Sequence, residues 1–149
     1  GLTALRGEAA QLPTLETQTN LLLAVCFRKR GDLDREQDAL RLVLSRDATH
    51  VAARVGLAVS YLNAGRVGDA VREYEEAVRS PQAGLDTHAA LLRRKMLEYR
   101  HAGRGEWAQL ERVAADLATA YGVQSCEPTL LRAELAAARG DRAKGVAIL

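Results

Sequence analysis

The chain has 149 residues, of which 48% are apolar and only 4% are aromatic. This length suits one compact domain or about four short helical repeats, and a core with so few aromatic residues must be built from Leu, Val and Ala. The 21 basic and 19 acidic residues nearly balance, which does not imply a nucleic-acid or membrane partner. No stretch approaches the roughly 20 apolar residues of a membrane span, so we expect a soluble cytoplasmic or periplasmic segment. Arginine greatly outnumbers lysine, which we interpret as the signature of a GC-rich bacterial genome.

The predicted elements are helices throughout, separated by turns that contain glycine or proline. In chain order they cover residues 2–12, 17–30, 33–45, 51–64, 67–80, 86–102, 106–121 and 127–139, and residues 141–149 begin a further one. Pro13 is expected to end the first helix because proline lacks the backbone N–H of a helix interior, and Pro81 and Pro128 also lie at expected helix ends. No run alternates apolar and polar residues for long enough to predict a sheet.

A period of 34 residues relates two of the turns, those at Gly31 and Gly65. Sliding the sequence by one period superposes apolar residues on apolar residues: Leu23 on Leu57, Phe27 on Tyr61, and Leu40 on Tyr74. A fixed period of this length is typical of stacked helical hairpins, because one hairpin cannot bury its apolar face alone. Each glycine is expected to end its helix in the left-handed conformation.

In residues 51–84, Leu57, Ala58 and Tyr61 of one predicted helix are followed by Ala70 and Tyr74 of the next helix and then by Pro81. This pattern resembles that of the tetratricopeptide repeat family, with Arg54 where the family has tryptophan. We expect the apolar residues of this pattern to form the core, together with Ala77 and Val78, because they share helix faces. Residues 17–50 match in part, with Glu36 where the family has a small residue, and Lys95 of the following pair stands where a core leucine is expected.

The resemblance implies an all-α fold, a right-handed superhelical solenoid of antiparallel helix hairpins. We expect residues 1–149 to be one fragment of such a solenoid. Its segments would be the second helix of a preceding repeat (1–16), two repeats (17–50 and 51–84), an irregular repeat (85–124) and a partial repeat (125–149).

The resemblance also implies a binding surface, because the first helix of each hairpin lines a concave groove in this family. The residues at the groove positions are Leu21, Val25, Arg28, Lys29, Val55, Val59, Leu62, Asn63, Arg93, Leu97, Arg100 and His101. This groove would be apolar in the middle and basic along an edge formed by Arg28, Lys29, Arg93 and Arg100. An apolar groove suits an amphipathic helix or an apolar peptide, so we expect a protein-interaction scaffold.

Three alternatives to this function stay open or are disfavoured. A neighbouring helix or a second copy would cover the same apolar residues if the chain is a structural or oligomerisation segment of a larger enzyme or envelope assembly protein. Some family members clamp the C-terminal carboxylate of heat-shock chaperones with lysine and asparagine, but Leu21 and Val25 stand at those places here. Pentatricopeptide repeats read single-stranded RNA with similar hairpins, but their period is usually one residue longer, and we expect no nucleic-acid partner.

The sequence contains no motif of catalytic or metal-binding residues, so we expect no enzymatic activity, no cofactor and no metal. His50, His88 and His101 lie near predicted helix ends and lack partners at metal-ligand spacing. Cys26 and Cys126 fall on different predicted repeats, too far apart for a disulfide in a solenoid. We therefore expect two free thiols, at least one of them buried.

Overall fold

The computed structural model describes residues 1–122 and 124–149, with all their side chains except those of Ala9, Ala10 and Arg142. In these ranges the chain forms helices that are joined by turns. The helices are α1 (Leu2–Lys29), α2 (Leu33–Arg46), α3 (Val51–Asn63), α4 (Val67–Val78), α5 (Leu85–Ala102), α6 (Trp107–Tyr121), α7 (Glu127–Arg139) and α8 (Arg142–Ile148). No strand occurs in these ranges, so the predicted all-α class is confirmed. Among the described residues, no helix is both long enough and apolar enough to cross a membrane.

The turns between helices contain the predicted glycines, and polar side chains cap some of the helix starts. Gly31 and Gly65 have φ of 73° and 74°, in the left-handed region that lets glycine end a helix without a Cβ clash. At the start of α2, Asp32 Oδ1 accepts a hydrogen bond from the backbone N–H of Arg35 at 3.2 Å. At the start of α3, His50 Nδ1 accepts one from Ala53 N–H. These caps satisfy backbone donors that a helix start leaves unpaired. From α2 onward, the predicted helix boundaries agree with the structure within two residues.

The predicted helix end at Pro13 is wrong, because α1 continues through this proline. Proline removes one intrahelical hydrogen bond and bends a helix, but it does not by itself reverse the chain. Among the described residues, the left-handed conformation occurs at four turn glycines, and none of these lies between Pro13 and Gly31. Residues 2–12 therefore form one continuous helix with residues 17–30 and do not pack back on them as a separate helix.

The described residues form two compact units, a first unit of Gly1–Gln82 and a second unit of Ala83–Leu149. In the first unit, α1 packs on α2, α2 on α3 and α3 on α4. The core residues predicted from the repeat pattern are buried here: Leu57, Ala58, Tyr61, Ala70, Tyr74 and Ala77. Val78 is half-buried. The alanines among them let neighbouring helices approach closely, and the larger side chains of Leu57, Tyr61 and Tyr74 fill the remaining space.

The second unit has a core of its own. Helix α5 packs against α6 and α7, α6 against α7, and α7 against α8. The buried cluster consists of Ala89, Leu92, Met96, Leu110, Ala114, Leu117, Leu131 and Leu135. Tyr99 and Trp107 pack at its edge with their ring centroids 5.5 Å apart in an edge-to-face arrangement. Lys95, at a predicted core position, is half-buried.

Equivalent residues of the 34-residue period differ in burial between α1 and α3. Leu57 of α3 is 2% exposed, whereas Leu23 of α1 is 42% exposed. The continuity of α1 explains the difference, because the segment expected to fold back over Leu23 is part of the same helix. The sequence period thus predicts the helix and which of its faces is apolar, and tertiary packing decides whether another helix covers that face.

Both cysteines are exposed free thiols, so the expectation that at least one is buried is wrong. Cys26 follows buried Ala24 by two positions, about 200° around the helix axis, and so it points away from the α1–α2 interface. Cys126 precedes the first residue of α7, outside the packed face of that helix.

Candidate functional site

A groove of about 530 Å³ lies between α5 and α7 of the second unit. Helix α5 contributes Arg93, Met96, Leu97 and Arg100, and α7 contributes Glu134, Ala137 and Ala138. Each set is spaced at i, i+3 and i+4, which places it on one helix face. Three of the predicted binding residues therefore lie in one cavity: Arg93, Leu97 and Arg100.

The floor of this groove is apolar and partly open to solvent. Met96 is almost fully buried, whereas Leu97 keeps 55% of its surface exposed. Small Ala137 and Ala138 face them from α7 and leave room above the floor. An exposed leucine beside a preformed apolar depression is the kind of surface that gains most when another apolar side chain covers it.

One end of the groove is closed by an ion-pair cluster centred on Arg93. Its Nε and Nη2 donate to the two carboxylate oxygens of Glu134 at 2.9 and 3.1 Å, and Nη1 lies 2.7 Å from Glu127 Oε1. These two carboxylates raise the pKa of the Arg93 guanidinium, chiefly through the hydrogen bonds that Arg93 donates to Glu134. Arg93, expected as part of a basic rim, is therefore a clamp between α5 and α7, and this end of the groove carries more negative than positive groups.

The other end of the groove is basic. Arg100 is exposed in the last turn of α5, followed by the exposed His101. A cation at the C-terminal end of a helix also interacts favourably with the helix dipole. The groove thus has charge polarity along α5, with a basic end at Arg100 and an acidic end at Glu127 and Glu134.

The predicted binding residues of the first unit lie on α1 and α3 and vary in exposure. Those that are half-buried are Leu21, Arg28, Val55, Val59 and Leu62, and those that are exposed are Val25, Lys29 and Asn63. Their role in partner binding stays a prediction.

Arg28, the second residue expected on the basic rim, is also held by an internal carboxylate. Its Nε donates to Glu36 Oε1 at 2.5 Å, and its Nη2 donates to the carbonyl oxygen of Gly56 at 3.3 Å. The Glu36 side chain is fully buried, and its second oxygen, Oε2, has no hydrogen-bond partner among the described residues. Glu36 stands where the repeat pattern has a small residue, and its ion pair with Arg28 links α1, α2 and α3.

A second polar cluster lies between α2 and α3. Gln37 Nε2 donates to Ser60 Oγ at 3.2 Å, and Arg41 Nη2 reaches both Gln37 Oε1 and the Tyr61 hydroxyl. The hydrogen bond to Tyr61 raises the pKa of Arg41. Helical phase could have identified Gln37 as inward-facing, since it is one turn before the buried Leu40, but no local signal identifies its partners.

The described residues contain no group of three or more His, Cys, Asp and Glu side chains placed to hold a metal ion. No family model matches this chain, and no curated protein matches it either. What the α5–α7 groove offers chemically is non-covalent: a preformed apolar surface, an exposed leucine and charges of opposite sign at its two ends.

Proposed function

We propose that this chain is a protein-interaction module of the tetratricopeptide-like kind, with a solenoid of helix hairpins that binds a helical or apolar peptide segment. The observation that carries the proposal is the α5–α7 groove, in which Arg93, Leu97 and Arg100 line one cavity as the repeat resemblance implies. The preformed helices would present this surface at little ordering cost, which favours binding.

The groove favours an amphipathic helix as its occupant. The apolar floor suits ligand residues spaced at i, i+3 or i+4, because those positions share one face of a helix. The polarity of the groove suits a ligand with an acidic residue near Arg100 and a basic residue near Glu127 and Glu134. Such exposed charges contribute only about 0–1 kcal/mol each, so affinity would come mainly from the apolar contact and orientation from the charges.

A selection of amphipathic helical peptides displayed against the chain tests this function. Selected peptides should bind more weakly, by about tenfold or more, to Leu97→Glu, because this change places a charge on the apolar floor. Leu42→Glu is the matched control, since Leu42 is also 55% exposed but lies on α2. Peptides that bind the parent and Leu97→Glu equally would contradict the proposed site.

The kinetics of the same peptides test the basic end. Arg100→Glu should slow association and weaken its salt dependence, with little change in dissociation, because a charge at the edge of a site acts mainly on diffusional encounter. Association with the parent protein that does not respond to salt would contradict this role of Arg100.

A further inference from the structure

Helix α1 carries an apolar stripe that no part of the described chain covers. The stripe consists of Leu5, Leu12, Leu15 and Leu22, which are 63%, 59%, 54% and 68% exposed. Successive residues of a helix are 100° apart, so these four lie within a sector of about 100°. The buried Ala24 lies on the opposite side, toward α2. The stripe is therefore a second face of α1, separate from the face that packs in the first unit.

The spacing of the four leucines is that of a coiled-coil seam. The intervals are seven, three and seven residues, which place the leucines at a and d positions of successive heptads. Pro13 lies on another face of the helix, so its missing N–H and its ring are outside the stripe.

The stripe is complementary to itself when a second copy runs antiparallel to it. Its leucines are placed symmetrically about the midpoint between Pro13 and Thr14, with Leu12 and Leu15 equally distant from it, and Leu5 and Leu22 likewise. Two such helices related by a two-fold axis would pair Leu5 with Leu22, and Leu12 with Leu15. A surface that matches itself in this way is the requirement for a two-fold symmetric contact.

The polar residues within the stripe favour the same orientation. Glu8 and Thr19 occupy the remaining seam positions between the leucines and are also equally distant from the midpoint. In the antiparallel pair each Glu8 would face Thr19 of the other copy, whose hydroxyl can donate to the carboxylate. In a parallel pair the two Glu8 side chains would face each other and repel.

We infer that α1 is a self-association helix, through which two copies of this chain form an antiparallel two-helix contact centred between Pro13 and Thr14. The occupant of the stripe is thus a second copy. This inference does not depend on the α5–α7 groove, because the two surfaces share no residue.

Sedimentation of the purified chain over a range of concentrations tests the inference. A dimer should form by about 100 µM, and Leu12→Glu should raise its dissociation constant by more than about 100-fold, because the change affects two symmetric contacts. Leu42→Glu is the control, with the same substitution at a leucine of similar exposure on α2, outside the stripe and outside the α5–α7 groove, and it should remain dimeric. Far-UV circular dichroism would verify that Leu12→Glu is folded, and Leu15→Ser provides a second variant with the same expectation.

A spin label on Cys26 tests the orientation, with Cys126→Ser removing the other exposed thiol. In the antiparallel pair the two labels should be about 40 Å apart, since each Cys26 lies about 19 Å along the axis from the midpoint. In a parallel pair the distance would be about 10 Å. A chain that stays monomeric at about 100 µM, a dimer that tolerates Leu12→Glu, or a short distance between labels would each overturn the inference.

Discussion

At the scale of single residues, the two arginines expected at the edge of a binding groove serve the fold. Arg28 neutralises the buried Glu36, and Arg93 bridges Glu127 and Glu134. A buried carboxylate is costly without a partner, and removing one member of such a pair costs more than the pair contributes. These arginines therefore hold helices together, and their charge is not free for a ligand.

Arg28→Ala should destabilise the protein more than its partly exposed position suggests. Removing one partner of a fully buried pair costs about 3–5 kcal/mol, and solvent access to Arg28, whose side chain is 37% exposed, lowers our expectation to about 2 kcal/mol. Urea denaturation measures this loss in the free energy of unfolding. The control Arg35→Ala, which removes an exposed pair with Asp32, should cost less than about 1 kcal/mol. Equal losses in both variants would mean that the Arg28–Glu36 pair is not a buried one.

His88 should make stability depend on pH. Burial lowers the pKa of His88 below its ordinary value of 6.5, so the folded protein binds this proton less readily than the unfolded chain does. Its contribution to stability is therefore complete above the ordinary pKa and declines as the pH falls toward the folded-state pKa. Urea denaturation near neutral pH and about two units lower should show a smaller decline in His88→Gln than in the parent. An identical decline in both proteins would exclude this role for His88.

At the scale of helices and turns, backbone conformation determines where α1 ends, and close packing of side chains adds a constraint in the α5–α6 turn. Helix α1 continues through Pro13, and no residue there takes the left-handed conformation that ends a helix at Gly31. The α5–α6 turn has a left-handed glycine, Gly103, and it also depends on close packing, since Gly105 lies against the ring of Tyr99, which in turn packs on Trp107. A turn of this kind tolerates no side chain at the glycine.

Two glycine-to-alanine changes should have opposite effects on stability. A Cβ at Gly105 would overlap the Tyr99 ring, so Gly105→Ala should cost about 1–3 kcal/mol. A Cβ at Gly68, in the first turn of α4, meets no atom within 4 Å, and Gly68→Ala should stabilise the helix by about 0.5–1 kcal/mol. Thermal and urea unfolding of both variants would measure these changes. A neutral Gly105→Ala would show that Tyr99 moves aside without loss.

At the scale of the whole molecule, the chain has two compact units, each with its own buried core. In the second unit the core draws on α5, α6 and α7, with Leu131 and Leu135 from α7 at its centre. A unit that buries its apolar residues internally has what it needs to fold alone, although a small core gives a modest stability.

A fragment of residues 83–149 should therefore be helical and unfold cooperatively. Far-UV circular dichroism with urea as denaturant would measure both properties. A shorter fragment of residues 83–121 is the control, because it lacks Leu131 and Leu135 and should lose the cooperative transition. A fragment 83–149 that is unfolded in buffer would mean that the second unit depends on the rest of the chain.

The local rules of the sequence determined the helices from α2 onward, their turn glycines and the core of residues 51–84. Local sequence pattern is enough to predict these features, because each depends on residues within a few positions. They include helix formation, the left-handed conformation at Gly31 and Gly65, and the burial of the helix face that carries Leu57 and Tyr61. The three groove residues brought together in the second unit followed from the same phase, since they lie on one face of α5.

Tertiary structure alone decided which surfaces are covered and which charges are free. Glu134 is 41 positions from Arg93, and Gly56 is 28 positions from Arg28, so no local pattern could have predicted these partners. Because α1 is one continuous helix, Leu23 and the leucine stripe are also exposed, although the equivalent face of α3 is buried. Periodicity specifies a face of a helix, and only the packing of distant segments specifies what lies against it.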